Sequence, residues 1–223
     1  MGDEREVPQD PPLDELADEP ASQPLQDEEA PEFEIPAVLQ LDEPRDILIR
    51  LSEEDPFELR ARVPRRCRER AVLLPSTRLV MMTMARMAIA AKSYDGSYPI
   101  DEWVETAIDV SLDDMLEEQR EEERRGLPVQ DSPDALFYHE LAEIFICPVV
   151  DARMACATLN GLSEDHRHAF HACIAQGLQP AAYARVIDAS IARVERLLRE
   201  VGIEVQTRLV KRHKARKRRN RRR

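Results

Sequence analysis

From Ser76 onward, apolar residues recur at every third or fourth position, the period of helices with one buried face. Ser76 and Thr77 can cap a first long helix running to about Lys92. Val80, Met84, Met87 and Ala91 share one face of it, flanked by Met81, Ala85 and Ala88. A helix apolar on most sides belongs in the middle of a bundle. After the turn SYDGSYP, Asp101 is placed to cap a second helix. Trp103, Val104, Ala107, Ile108, Leu112, Met115 and Leu116 form its apolar face. Glu102, Glu105, Asp109, Asp113, Asp114, Glu117 and Glu118 form an acidic outer face. Gly126 and Pro128 end it.

Ser132-Pro133-Asp134 reads as a cap, a first helical residue and an acidic first turn. The helix it opens runs to about Ile146 and stops before Pro148. Asp151 can cap another, to about Asn160. Ser163 caps one from Glu164 to Gln176, closed by Gly177. Pro180 opens a short helix to Ile187, and Asp188-Ala189-Ser190 forms a corner. Ser190 then caps a last helix to Glu200, closed by Gly202. Upstream, FELRARVPRRCRER predicts a short basic helix broken at Pro64. Convincing alternation of period two is almost absent, so the expected fold is all-α, with two small helical clusters.

The expected organisation is an acidic, Pro-rich, disordered tail over residues 1–44 and a helical cluster over 45–125. A linker with a short helix (126–150), a helix-turn-helix domain (151–205) and a basic tail (206–223) follow. Charge sharpens this division. The net charge of -12 averages two opposed ends. Residues 1–44 hold fifteen Asp or Glu against Arg5 alone, and residues 208–223 hold eleven Lys or Arg and no acid. Segments so polar lack the apolar area to offset ordering entropy, so both ends are expected to be disordered.

The longest apolar run, LVMMTMARMAIAA, has thirteen residues and contains Arg86. A bilayer span needs about 20, so no membrane partner is expected. The first thirty residues carry no signal-like apolar run. Cys67, Cys147, Cys156 and Cys173 have no paired spacing and read as reduced, buried thiols of a soluble, cytoplasmic protein. Glycine-rich phosphate loops, nucleophile elbows and HExxH are missing, so no enzyme and no cofactor are expected. HRHAFHAC places His166 and Cys173 on one helical face and His168 and His171 on another. Four ligands cannot converge from that arrangement, so no metal is expected.

The corner is of the right length for a helix-turn-helix. Ala184 permits close approach, and Tyr183, Val186 and Ile187 are expected to meet Val194, Leu197 and Leu198, with Phe170 and Ile174 completing the core. Helical units of this kind also occur in proteins that never touch DNA. Two stretches add a resemblance. LNGLSEDHRHAF, AQGLQPAAYARVI and DASIARVERLL, in that order, resemble the C-terminal domain of bacterial RNA polymerase sigma factors of the extracytoplasmic-function type. SYDGSYPIDEWVETAID is similar to part of the same family's N-terminal helical domain. From first to last they span 110 of the 223 residues, in the family's order.

The resemblance implies that the first cluster binds core RNA polymerase and that the last helix enters the major groove of promoter DNA. Arg193, Arg196 and Arg199 would then be its donors, with Ser190 capping the helix near a phosphate. An anti-sigma or other regulatory protein would be a further partner. The chain departs from the family where Asp188 replaces a corner glycine, where Glu195 stands among the arginines, and where Leu197 takes a commonly polar place. LVMMTMARMAIAAKSY also lacks the family's polymerase-binding pattern, and an acidic helix face repels a duplex.

Lys211, Arg212, Lys214, Arg216, Lys217, Arg218 and Arg219 in the basic end suit phosphate binding through counterion release. The leading expectation is therefore a divergent sigma-like transcription protein that binds polymerase and promoter DNA. The alternative is an adaptor or regulator that uses the same scaffold for protein–protein contact, with the acidic face as a docking surface and the basic end holding nucleic acid non-specifically.

Overall fold

The computed structural model describes residues 33–126, 128–129 and 132–220, and all regular structure among them is helical. The chain enters at Phe33, whose N–H donates to the Gly96 carbonyl at 2.9 Å. A 3-10 turn at Ala37–Gln40 follows, with Leu39 buried. The segment 33–44, expected to belong to a disordered head, is thus held against the body. Ile35, Val38 and Leu41 supply the apolar area that an acidic tail lacks. The remainder of that head, residues 1–32, lies outside the described residues.

Helix α1 (Pro44–Glu54) buries Ile47 and Leu51. Asp55 ends it, and its carboxylate accepts from the N–H groups of Leu59 and Arg60 at 2.8 and 3.0 Å, opening α2 (Leu59–Glu69). The expected break at Pro64 does not occur. Proline removes one backbone donor, but Leu59, Val63 and Cys67 are buried on one face on either side of it, and this packing keeps the helix whole. Helix α3 (Ser76–Ala90) lies central, as its nearly all-round apolar pattern requires. Pro75 precedes it, and the Ser76 side chain makes no cap. Helix α4 (Ile100–Arg125) buries all seven residues of its predicted apolar face. Its N-terminal residue is Ile100 rather than Glu102, with Asp101 inside the first turn. These four helices enclose the first core.

The second core is built by α5 (Ala135–Ile144), α6 (Val149–Asn160), α7 (Glu164–Phe170), α8 (Pro180–Val186) and α9 (Ile191–Asn220). Helix α5, the short helix expected within 126–150, packs inward: Tyr138, Leu141, Ala142 and the following Phe145 lie inside, with Phe145 stacked on Phe170 at 5.3 Å. Helix α9 runs straight through Gly202, where the sequence pattern predicts its end. Glycine inside a helix costs about 0.5–1 kcal/mol. Burial of Val201, Val205 and Leu209 on one side of the helix outweighs that. The basic end expected to be a disordered tail is consequently helical as far as Asn220.

A buried polar seam joins the two cores. Asn160 accepts from the Leu73 N–H and donates to the Leu73 carbonyl, both at 2.9 Å, and donates to Gln119 at 2.9 Å. Gln119, on α4, also reaches the Cys156 sulfur at 3.3 Å. Asn160 belongs to the LNGLSEDHRHAF stretch, and its work here is structural. Among the described residues no helix is long and apolar enough to cross a membrane.

Candidate nucleic-acid interface

The corner between α8 and α9 is a left-handed stop followed by a side-chain cap. Asp188 has φ +49°, the conformation that glycine adopts most readily and that aspartate tolerates better than most residues. The Ala189 N–H donates to the Ala184 carbonyl at 2.9 Å, closing α8. The Ser190 Oγ then accepts from the Arg193 N–H at 3.2 Å, capping α9. Aspartate at this point performs a conformational task that glycine usually takes.

Beneath the corner Ala169, Phe170, Ala184, Val194 and Leu197 are buried. Leu197 is therefore a core residue. Three expected partners are not: Val186, Ile187 and Ile174 are exposed. Helix α8 has only seven residues, and the close approach of Ala184 turns Val186 and Ile187 outward. His171–Ala175 forms a π-helical turn instead of continuing α7. Its wider turn rotates Ile174 away from the core.

Arg193, Arg196 and Arg199 all stand exposed on the first three turns of α9. Arg193 reaches Asp165 at 3.0 Å, and Arg196 lies 3.9 Å from Glu200, with more than half of each arginine side chain in solvent. Glu195 is exposed beside them. Ser190, Arg193, Arg196 and Arg199 together line one shallow depression. Further along α9, Lys211, Lys214, Lys217 and Arg218 are exposed, and Arg216 and Arg219 lie in the same helix. Arg212 requires a correction. It turns toward the body, pairs with Glu123 of α4 and lies 3.3 Å from the almost fully buried Asp151 of α6. It anchors α9 and is not presented to a ligand. Asp151, expected to cap α6, is instead the carboxylate that receives this anchor.

The acidic face of α4 is also not what its sequence suggests. Arg62 reaches Asp101 at 2.6 Å and Glu105 at 3.6 Å. Arg66 grips Asp109 with two bonds of 2.8 and 2.6 Å, and Arg70 takes Asp113 at 2.7 Å. From α3, Arg86 pairs with Asp114 and Arg78 with Glu118, while Glu117 meets Arg124 at 2.7 Å. Hydrogen bonding from Arg66 holds the Asp109 carboxyl below the usual carboxylate range. Six of the seven predicted outer acids thus have cationic partners, and only Glu102 of that set makes no ion pair among the described residues. Sequence periodicity found these acids, but apart from Arg124 of α4 itself the arginines facing them lie 28 to 43 residues earlier in the chain, where no local pattern can pair them.

The remaining candidates are structural. Burial pushes the Cys67 thiol up to about 11 and the Cys156 thiol up to about 12, so neither forms a ready thiolate. His166 bridges the Ser163 hydroxyl at 2.6 Å and Glu200 of α9 at 2.9 Å, tying α7 to the arginine-bearing end. Among the described residues no group of three or more His, Cys, Asp or Glu gathers as a metal site. Comparison with protein-family models, with curated proteins and with solved structures finds no match.

Proposed function

We propose that this chain is a DNA-binding transcription protein of sigma-like build, reading duplex DNA with the first turns of α9 and meeting RNA polymerase through its first helical core. The observation that carries the DNA reading is the row Arg193, Arg196 and Arg199. These side chains are exposed on a helix whose position is fixed by Val194, Leu197, Val201, Val205 and Leu209 on its other side. Guanidinium groups on a rigidly seated helix suit the acceptor edges of guanine and the phosphates beside them. The polymerase part rests on the resemblance of Ser93–Asp109 and Leu159–Gly202 to the sigma family. Pairing of the α4 acids with α2 and α3 lessens the repulsion that an acidic face would exert on a nearby duplex.

A protein partner has its own support, whether polymerase or another protein. Met81 and Leu136 are exposed apolar side chains lining one depression with Pro75, Pro133 and Phe137.

The DNA part is tested by selecting a preferred duplex from a random pool and measuring Arg196→Ala on it. The expected loss is about 1–3 kcal/mol with relaxed sequence choice. Unchanged affinity, or a pool without enrichment, overturns it. The polymerase part is tested by co-elution with core enzyme at moderate salt, using a chain cut after His213. That cut removes most of the basic end but keeps the Leu209 and Arg212 anchors. A stable complex is expected, and its absence removes polymerase as the partner.

A further inference from the structure

The cations of α9 are spaced in a way that only its unbroken length reveals. Arg193, Arg196 and Arg199 are followed eighteen residues later by Lys211, Lys214 and Lys217. At about 3.6 residues per turn, eighteen residues make about five whole turns. Each arginine therefore has a lysine directly along the helix axis, on the same face. All six are exposed, and the face between them carries Glu200, Ile203 and Val210, one acid and two apolar residues, in place of further cations. The opposite side of the helix is spoken for by Val194, Leu197, Val201, Val205, Leu209 and the anchored Arg212. Because packing extends beyond Gly202 as far as Arg212, the helix has no free joint between the two triads.

We infer that α9 grips one nucleic-acid duplex at two places, the arginine triad and the lysine triad, held in phase about 27 Å apart by the helix itself (eighteen residues at about 1.5 Å each). This rests on the proposed DNA reading and adds to it the orientation and length of the bound duplex. A helix set crosswise meets a major groove about 12 Å wide, less than half the separation of the triads. Both triads reach phosphates of one duplex only when α9 runs along it. With a rise of about 3.4 Å per base pair along the duplex axis, the two grips are then about eight base pairs apart. Lysine, a compact charge without a planar fork, suits the second grip as a phosphate contact without base choice.

The test uses the full chain with duplexes of about 10 and about 20 base pairs sharing one central preferred sequence, titrated with salt. Three variants are compared: Arg196→Ala; the triple Lys211→Gln, Lys214→Gln, Lys217→Gln; and the triple Arg221→Gln, Arg222→Gln, Arg223→Gln. Both triples remove three charges. On the long duplex the lysine triple is expected to flatten the slope of log affinity against log salt by about 2–3, at about 0.9 per lost phosphate contact. The terminal triple is expected to change it much less. On the short duplex the lysine triple is expected to match the unaltered chain. Equal effects of the two triples at both lengths overturn the two-point grip and leave diffuse charge at the helix end. An effect of Arg196→Ala with none from the lysine triple also overturns it, while the proposed function stands. An effect of the lysine triple with none from Arg196→Ala overturns both.

Discussion

Helix α4 and helix α9 look alike as patterns: each has an apolar face and, on the other side, a long row in which one charge predominates. In the folded chain they differ completely. The carboxylates of α4 meet Arg62 and Arg66 of α2, Arg70 just past its end, and Arg78 and Arg86 of α3, so most of the row is paired within the molecule. Apart from the inward Arg212, the paired cations of α9 meet scattered acids at Asp165, Glu200 and Glu204 and keep more than half of each side chain in solvent. A charged stripe becomes an interaction surface only when no neighbouring helix carries its complement. That condition depends on tertiary placement and not on the helix that bears the stripe.

Charge reversal separates the two helices most sharply. Arg199→Glu is expected to weaken binding to a preferred duplex by about tenfold to a hundredfold. Its thermal unfolding should coincide with that of the parent chain, and a shift of several degrees would place Arg199 in the fold instead. Next in size is the seam that holds α4 and α6 in register. Asn160→Ala strands the Leu73 amide and the Gln119 Oε1, while the Leu73 carbonyl keeps the Cys156 thiol at 3.2 Å. Denaturant unfolding should show a loss of about 2–3 kcal/mol.

Within the α4 ladder the effects are smaller, because the pairs are partly solvated. Arg66→Glu is expected to lower stability by about 1–2 kcal/mol and to leave duplex affinity alone. A binding change equal to that of Arg199→Glu would erase the distinction between the two helices. Asp109 adds a pH signature. Its folded pKa is lowered by the Arg66 hydrogen bonds, so its contribution is present above the ordinary carboxylate value of about 3.9 and is lost as pH falls through the lower, folded value. Acid titration of Asp109→Asn should therefore show a shallower loss of stability below about pH 4 than the parent chain. The smallest effect is expected at the corner. Asp188→Gly relieves a left-handed aspartate but loosens the unfolded chain, for a net gain below about 1 kcal/mol in melting experiments.

Much of the helical order could be read from local chemistry. The apolar face of α4 was complete in the spacing from Trp103 to Leu116, and the Ser190 cap was plain from its position before an apolar run. The failures share one cause. Pro64 and Gly202 are local stop signals, and each is overridden by burial against residues distant in sequence. The entry segment through Leu39 was hidden by its acidic flanks, and Ile174 by a π-helical turn that breaks the regular period. At the candidate site, the exposure of Arg193, Arg196 and Arg199 could be anticipated. The inward turn of Arg212 could not, since its carboxylate partners sit on α4 and α6.

Helix α4 lines the first core, and Asn160 of α6 ties its Gln119 to the stretch of chain at Leu73. The two halves therefore share a polar tie that neither can release alone. Amide hydrogens in α3, far from the arginines of α9, should exchange more slowly when a duplex is bound, because opening the first core then requires opening the second.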